Sequence, residues 1–272
     1  MAEVKVDGKS AHYTTGGKGW EEGLPFAVGL HGAGLSQASW VLQSRALAHH
    51  GWNVAALDLP GHGTSEDAAE LTTIEDYARW VAAFMSAIGV ERAALYGHSL
   101  GAAIALTLGA ESPGRVTALV LLGVASELPV NGALLDSTEA DTPRAVDMIT
   151  AFSYDRGHHL GGCPAPGTWL MGGSRALLAR CSGAVLHRDY AAANSWSGAG
   201  YVARLTCPTL VLAGSGDRMV APAKGRRLAG AIAGARFEEF PGAGHDLMSE
   251  APRAVLKSMR AFLDPLARPA GE

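Results

Sequence analysis

Short apolar runs alternate with helical patterns along most of the chain, and this alternation limits the fold more than any other feature. Most of the runs are apolar at nearly every position, as expected of strands whose two sheet faces are both covered by helices. The pattern therefore predicts an α/β fold, with a mostly parallel sheet and helices on both of its faces. The predicted strands are a hairpin within residues 5–15 and runs at 26–30, 53–57, 93–96, 118–122, 209–213 and 236–240.

Five helices are predicted from the segments that adjoin these strands. In residues 74–88, apolar side chains recur at spacings of three and four and so share one helix face. Residues 100–110 are small and apolar throughout, which predicts a buried helix. The other three predicted helices are at 39–49, 222–233 and 251–266.

Residues 127–204 interrupt the alternation and are rich in Gly, Trp and Met. A structureless loop of this length is uncommon in a compact domain, so a mostly helical insertion is expected. The chain is thus predicted to form one core domain, residues 1–126 and 205–272, with a cap or lid at 127–204.

Composition excludes several classes of protein. A net charge of −4 and a charged fraction of 18% argue against disorder and against a nucleic-acid partner. No segment approaches the roughly 20 apolar residues that span a bilayer, and the first residues lack the basic start of a signal peptide. Three cysteines without CxxC spacing indicate neither a zinc site nor a disulfide framework. No phosphate-binding loop follows a strand, so no nucleotide cofactor is expected. With the observations above, we expect a cytoplasmic protein without metal or membrane partner; a homodimer stays open.

The sequence Gly-His-Ser-Leu-Gly at 97–101 stands between a predicted strand and a predicted helix. In that setting, Gly-x-Ser-x-Gly is typical of a nucleophile elbow, a strained turn that projects the serine hydroxyl clear of the sheet. Glycines on either side let the strand and the helix approach closely. We therefore predict that Ser99 is a nucleophile.

A serine hydroxyl needs a base, and the base needs an acid that orients it. Asp217 lies just beyond the predicted strand at 209–213, and His245 lies just beyond the one at 236–240. Both positions are at carboxyl ends of strands, where open α/β sheets place their sites. The order Ser, Asp, His along the chain is that of one hydrolase architecture. Glu127 is a weaker alternative for the acid.

Acyl transfer also needs backbone N–H groups that bind the developing oxyanion. One donor is expected from Leu100, the residue after the nucleophile. The other is expected from the loop that follows the strand at 26–30, where Ala33 is favoured over Gly34.

These residues together resemble the α/β-hydrolase superfamily, in particular its small capped esterase, lactonase and carbon–carbon hydrolase branch. Residues 30–34 (LHGAG) resemble its oxyanion loop, and residues 58–65 (DLPGHGTS) resemble its second signature loop. Residues 244–245, followed by 250–252 (EAP), resemble its histidine loop and last helix. The resemblance implies an eight-stranded, mostly parallel sheet and a helical cap before the strand that carries the acid.

The resemblance and the predicted triad favour hydrolysis of a small carboxylic ester or lactone. Carbon–carbon bond hydrolysis and cofactor-free perhydrolysis of the haloperoxidase type are alternatives that use the same triad. A non-catalytic binding member of the fold is disfavoured because all three triad residues are present. Residues 127–204 match no cap signature, and their apolar residues Trp169, Met171 and Trp196 line a pocket or form cap core.

Overall fold

The computed structural model describes residues 1–159, 161–163 and 168–267. Within these residues, eight strands form one sheet. They are β1 (Ala2–Val6), β2 (Lys9–Thr14), β3 (Phe26–Leu30), β4 (Asn53–Leu57), β5 (Ala93–His98), β6 (Val116–Leu122), β7 (Thr209–Gly214) and β8 (Arg236–Phe240). The strand order across the sheet is β1-β2-β4-β3-β5-β6-β7-β8.

The sheet is antiparallel at one edge and parallel elsewhere. Strands β1 and β2 form the predicted hairpin, and β2 pairs antiparallel with β4. The hairpin turn is Asp7-Gly8, and both residues have positive φ angles, 49° and 83°, as a tight two-residue hairpin turn requires. All pairings from β4 through β3 to β8 are parallel. The predicted fold class is confirmed.

Helices lie on both faces of this sheet. Helix α2 begins with a capping box, in which Thr73 and Asp76 each bond the other's backbone N–H. Helix α3 is buried along nearly its whole length, as its small residues predict. In order, the described helices are α1 (Val41–Ala48), α2 (Ile74–Ala87), α3 (Leu100–Glu111), α4 (Gly132–Ala140), α5 (Thr142–Ser153), α6 (Arg156–His159), α7 (Leu170–Leu178), α8 (Gly183–Ser195), α9 (Ala199–Val202), α10 (Pro222–Ala231), α11 (Leu247–Glu250) and α12 (Pro252–Ala267).

Two helix boundaries differ from the prediction for local reasons. The helix expected to begin at residue 39 starts instead as a 3₁₀ turn, Gln37–Trp40, because the Ser36 side chain accepts a bond from the N–H of Ala38. Helix α10 ends before residue 233, since Ile232 takes an extended conformation with φ −93° and ψ 122°.

Residues 127–204, called the insertion segment below, leave the sheet after β6 and return before β7. Their described part contains helices α4 to α9. Helix α4 packs on α5 and α8, while α8 and α9 reach the core helix α3. An antiparallel bridge between Glu127 and Ser197 joins the two ends of the segment.

Apolar clusters on both faces of the sheet hold β5 in its centre. Leu95 faces the cluster that includes α2 and α3, and Tyr96 faces the cluster that includes α1 and α12. Because these strands are parallel, the carboxyl ends of β3, β5, β7 and β8 lie at one edge of the sheet, below the insertion segment. Among the described helices, none is both long and apolar enough to cross a bilayer.

Candidate active site

Ser99 occupies a strained turn between β5 and α3. Its φ and ψ angles are 52° and −115°, a conformation that costs about 1–3 kcal/mol for a residue with a side chain. Its N–H donates to the Leu122 carbonyl at 2.9 Å, and its carbonyl accepts from two N–H groups of α3. The backbone thus fixes the position of this half-buried serine.

The two glycines that flank Ser99 are required by close backbone approaches. A Cβ atom at Gly97 would lie 2.4 Å from the carbonyl oxygen of Gly101. A Cβ atom at Gly101 would lie 2.3 Å from the carbonyl oxygen of Leu30. Because these neighbours are main-chain atoms, a side chain at either position would move β5, α3 or the end of β3.

The side chains of Asp217 and His245 meet at the carboxyl ends of β7 and β8. His245 Nδ1 and Asp217 Oδ2 are 2.8 Å apart, and both side chains are almost fully buried. The other carboxylate oxygen of Asp217 accepts the N–H groups of Met219 and Val220, each at 2.8 Å. This arrangement fixes the proton of neutral His245 on Nδ1 and leaves Nε2 as the basic nitrogen. Glu127, the alternative acid, lies instead in the bridge to Ser197.

Burial and nearby acids oppose each other in setting the pKa of His245. Burial disfavours the charged ring, but the charge and hydrogen bond of Asp217, with further contributions from Asp246 and Glu250, outweigh it. The pKa of His245 is therefore raised, which suits a base that becomes an imidazolium during reaction.

Two residues that the sequence did not single out hold the His245 ring. The His98 ring lies 4.7 Å from it, and His98 Nε2 donates to the His245 carbonyl oxygen at 3.1 Å. Burial and the neighbouring His245 keep the pKa of His98 well below its usual value, so His98 is neutral. Gly123 has a φ of 60°, and a Cβ there would lie 2.9 Å from His245 Cε1. The signal for His98 was its place inside the Gly-x-Ser-x-Gly motif.

Ser99 and His245 line one cavity of about 450 Å³. In the described part of the chain, Ser99 Oγ makes no hydrogen bond. Such bonds are often loose in ligand-free hydrolases and tighten with substrate. The cavity wall is mainly apolar. It includes Leu128, Val130, Leu134, Met148, Phe152, Tyr190 and Ala193 of the insertion segment, and Ala33, Leu100, Arg218, Met219 and Val220 of the core.

The aromatic and sulfur-containing residues considered for the pocket do not line this cavity. Trp196 is buried, and its Nε1 donates to Thr107 Oγ1 at 3.1 Å, which makes it part of the packing against α3. Trp169 is 67% exposed, and Met171 is half-buried in α7.

The two residues expected to supply oxyanion donors line the same cavity as Ser99. Leu100 is the first residue of α3, so its N–H has no acceptor within the helix. Ala33 is half-buried and lines the same cavity. The N–H of Gly34, the second choice, donates to Asp189 Oδ2 at 3.0 Å and is already engaged. These contacts favour Ala33 over Gly34.

A buried ion pair lies behind this loop. Asp189 of α8 accepts from His62 Nε2 at 2.9 Å, the Gly34 N–H at 3.0 Å and the Tyr77 hydroxyl at 3.1 Å. Asp189, His62 and Tyr77 have no exposed surface. Neither Asp189 nor its contact with His62 was found from the sequence, because they join elements more than 100 residues apart.

The hydrogen bonds of two adjacent histidines show which one is charged. Both ring nitrogens of His62 face acceptors, the Pro60 carbonyl and Asp189, so both must carry protons. Burial opposes this charge, but Asp189 raises the pKa of His62 well above 6.5. His31 differs, since its Nε2 accepts from the Leu59 N–H and burial lowers its pKa to about 3. His62 and Asp189 thus form an ion pair, while His31 is neutral.

A sequence model of the α/β-hydrolase family matches residues 27–258. The matched region begins in β3, ends in α12 and includes Ser99, Asp217 and His245. The chain therefore belongs to the α/β-hydrolase family, whose fold the sheet order and helices display.

Curated relatives resemble the chain over different lengths. The dihydrolipoyllysine-residue acetyltransferase component of the acetoin cleaving system of Cupriavidus necator is 38% identical over 117 residues, 43% of this chain and 30% of that protein. The matches to this relative and to two others span only 28% to 36% of the lengths of those proteins. Pyrrolizixenacetamide deacetylase of Xenorhabdus hominickii is 27% identical over 276 residues, 97% of this chain and 98% of that protein.

Solved structures show the same architecture over nearly the whole chain. The enol-lactonase from Burkholderia xenovorans LB400 has a TM-score of 0.88 and 24% identity, over 97% of this chain and 100% of that one. At this level of identity, the likeness shows the fold alone.

Proposed function

We propose that this protein is a serine hydrolase that cleaves a carboxylic ester or lactone through an acyl-enzyme on Ser99. The observation that carries the proposal is the placement of Ser99 on a strained turn, beside the cavity that it shares with His245. Asp217 Oδ2 lies 2.8 Å from His245 Nδ1, the ring nitrogen that does not act as the base. A nucleophile and a base therefore share one cavity, and an acid behind the base orients it.

In the first half of the reaction, Ser99 Oγ attacks the substrate carbonyl carbon while His245 Nε2 takes the hydroxyl proton. The carbonyl oxygen becomes an oxyanion, which accepts bonds from the N–H groups of Ala33 and Leu100. Each such donor contributes about 3 kcal/mol to lowering the barrier. The imidazolium of His245 then protonates the leaving alkoxide oxygen as its bond to the carbonyl carbon breaks.

In the second half, water attacks the acyl-enzyme and His245 takes one of its protons. The new tetrahedral intermediate collapses, Ser99 Oγ regains a proton from His245, and the carboxylic acid leaves. Asp217 keeps the ring in one orientation and stabilises its charged form in both halves.

The insertion segment acts as the cap in this proposal. Its residues from α4, α5 and α8 supply much of the apolar wall of the cavity, which limits access of water to the acyl-enzyme. The wall fits an uncharged hydrocarbon part of the substrate. The deacetylase relative, which the chain matches over nearly its whole length, supports acyl transfer.

The test combines turnover with active-site labelling. We expect the purified protein to hydrolyse short p-nitrophenyl esters and to be labelled by a fluorophosphonate at Ser99. Ser99→Ala should lose more than about 10³-fold in kcat and all labelling, with its melting temperature kept. Ser195→Ala is the matched control, because Ser195 is exposed on α8 and bonds the Ala192 carbonyl.

Labelling at another residue, or full activity in Ser99→Ala, would contradict the proposal. Turnover of vinylogous diketones in place of every ester would assign the triad to carbon–carbon bond hydrolysis. Halogenation that depends on peroxide and an organic acid, without ester turnover, would assign it to perhydrolysis.

A further inference from the structure

Arg218 stands at the mouth of the catalytic cavity. It directly follows Asp217 and lines the cavity together with Ser99 and His245. Its Nη2 donates to the Ala151 carbonyl oxygen and lies 3.4 Å from His159 Nε2. Its Cζ lies 5.1 Å from the centre of the Phe152 ring. The guanidinium is thus held by the end of α5, with part of its donor fork still unused.

Across the described residues, no carboxylate lies within ion-pair distance of Arg218. The neighbouring Asp217 carboxylate is turned to His245 and to two backbone N–H groups. The Asp155 carboxylate accepts the N–H of Gly157. Arg226, by contrast, pairs with Glu239 at 2.9 Å.

Among the described residues that line the cavity, Arg218 is also the one with a permanently charged side chain. Apart from Ser99, His245 and Arg218, the described lining residues are apolar except for Asn131 and Tyr190. The cavity therefore combines an apolar interior with one positive charge at its mouth and no negative charge.

We infer that the substrate is an ester or lactone that also bears a carboxylate, which Arg218 receives while the scissile carbonyl lies at Ser99. This inference rests on the proposed serine hydrolase. A guanidinium binds a carboxylate through two parallel N–H donors, and an apolar surround strengthens that contact. A neutral substrate of the same length would leave Arg218 without a carboxylate partner. Arg218 is on this account a specificity-determining residue, and Phe152 supports its orientation.

The experiment compares two pairs of esters with matched lengths. In the acyl pair, monoethyl glutarate carries a carboxylate where ethyl pentanoate carries a methyl group. In the alcohol pair, butyryl glycolate is compared with ethyl butyrate, which likewise carries a methyl group in place of the carboxylate. Because exposed ion pairs are individually weak, we expect at least about a fivefold preference in kcat/KM for the anionic member of one pair, mainly through KM. The pair that shows it identifies the half of the substrate that bears the charge.

Arg218→Gln removes the charge and keeps a side chain of similar reach. We expect the preference for the anionic ester to fall to within twofold of unity in this variant. Arg226→Gln, an exposed arginine on α10 outside the cavity, should keep the wild-type preference. Raising the salt concentration should reduce the preference of the wild type, since the charge is partly exposed.

A second measurement does not depend on turnover. In a Ser99→Ala background, the anionic ester should bind at least about fivefold more weakly by calorimetry when Arg218 is also replaced by Gln. Equal kcat/KM for both members of each pair, or an unchanged preference in Arg218→Gln, would overturn the inference while leaving the serine hydrolase intact. Absence of turnover and of fluorophosphonate labelling would instead overturn the hydrolase proposal, and this inference with it.

Discussion

Replacing Asp189 by alanine should destabilise the protein by about 3–5 kcal/mol. The substitution leaves the buried His62 imidazolium without its counter-ion, and removal of one partner from a buried pair typically has this cost. It also leaves the Gly34 N–H and the Tyr77 hydroxyl without their acceptor, and each unsatisfied buried donor costs about 1–3 kcal/mol. These costs are not additive, because His62 can lose its proton once Asp189 is gone.

The pH dependence of this effect follows from the two pKa shifts. His62 has a raised pKa in the folded state, so its contribution is complete below about 6.5 and is lost as the pH rises through the folded value. Asp189 has a lowered pKa, because His62 and the Gly34 N–H outweigh burial, so its contribution is lost only as the pH falls below about 3.8. The destabilisation by Asp189→Ala should therefore be greater at pH 6 than at pH 9.

Urea unfolding at these two pH values measures the difference directly. Asp147→Ala is the matched control, because Asp147 belongs to the same segment but forms an ion pair with Arg175 that is more than half exposed. We expect its effect to be below about 1 kcal/mol. An Asp189→Ala variant that loses no more stability than Asp147→Ala, or loses the same amount at both pH values, would refute this account of the network.

Two further predictions concern the triad and its turn. Gly97→Ala should unfold at a markedly lower urea concentration than wild type and lose fluorophosphonate labelling, because its Cβ would lie 2.4 Å from a main-chain oxygen. Gly132→Ala is the control, because the space around Gly132 is open, and it should keep both its stability and its labelling. Asp217→Asn should lower kcat by about 10⁴-fold. It should also move the rising limb of the kcat/KM–pH profile to lower pH than its wild-type position above 6.5, since Asp217 raises the pKa of His245. An unshifted limb would show that Asp217 does not set the pKa of His245.

Local sequence signals sufficed for the core of the fold. The runs at 26–30, 53–57 and 236–240 coincide with β3, β4 and β8, because continuous apolar character or turn residues at their ends mark these strands without reference to distant contacts. The three predicted triad residues also lie in the turn or loops that follow strands, and parallel strands bring their carboxyl ends to one edge of the sheet. The sequence was therefore enough to predict that Asp217 and His245 come together.

The insertion segment was predicted only as mostly helical. Helix α8 has polar and charged residues on a side that faces the core, so its pattern does not show which face is buried. Asp189 is a case in point, since an acid in a helix is usually exposed and its burial depends on His62, Tyr77 and Gly34 from three other elements. The role of Arg218 could not be predicted from the sequence either. It depends on the lack of a carboxylate partner among the described residues, and the sequence does not show which side chains surround Arg218.

The buried pair gives the insertion segment a second role in the proposed chemistry, besides that of a wall. A segment that merely covered a cavity could be held by apolar contacts, which involve no desolvation of charge. Asp189 instead accepts the N–H of Gly34, one residue beyond the proposed donor Ala33, and so fixes the loop. An error of about 1 Å in such a donor is enough to weaken catalysis substantially. Displacement of α8 would thus disturb both the apolar wall and the loop of the proposed donor Ala33, which couples the position of the insertion segment to the proposed catalytic site.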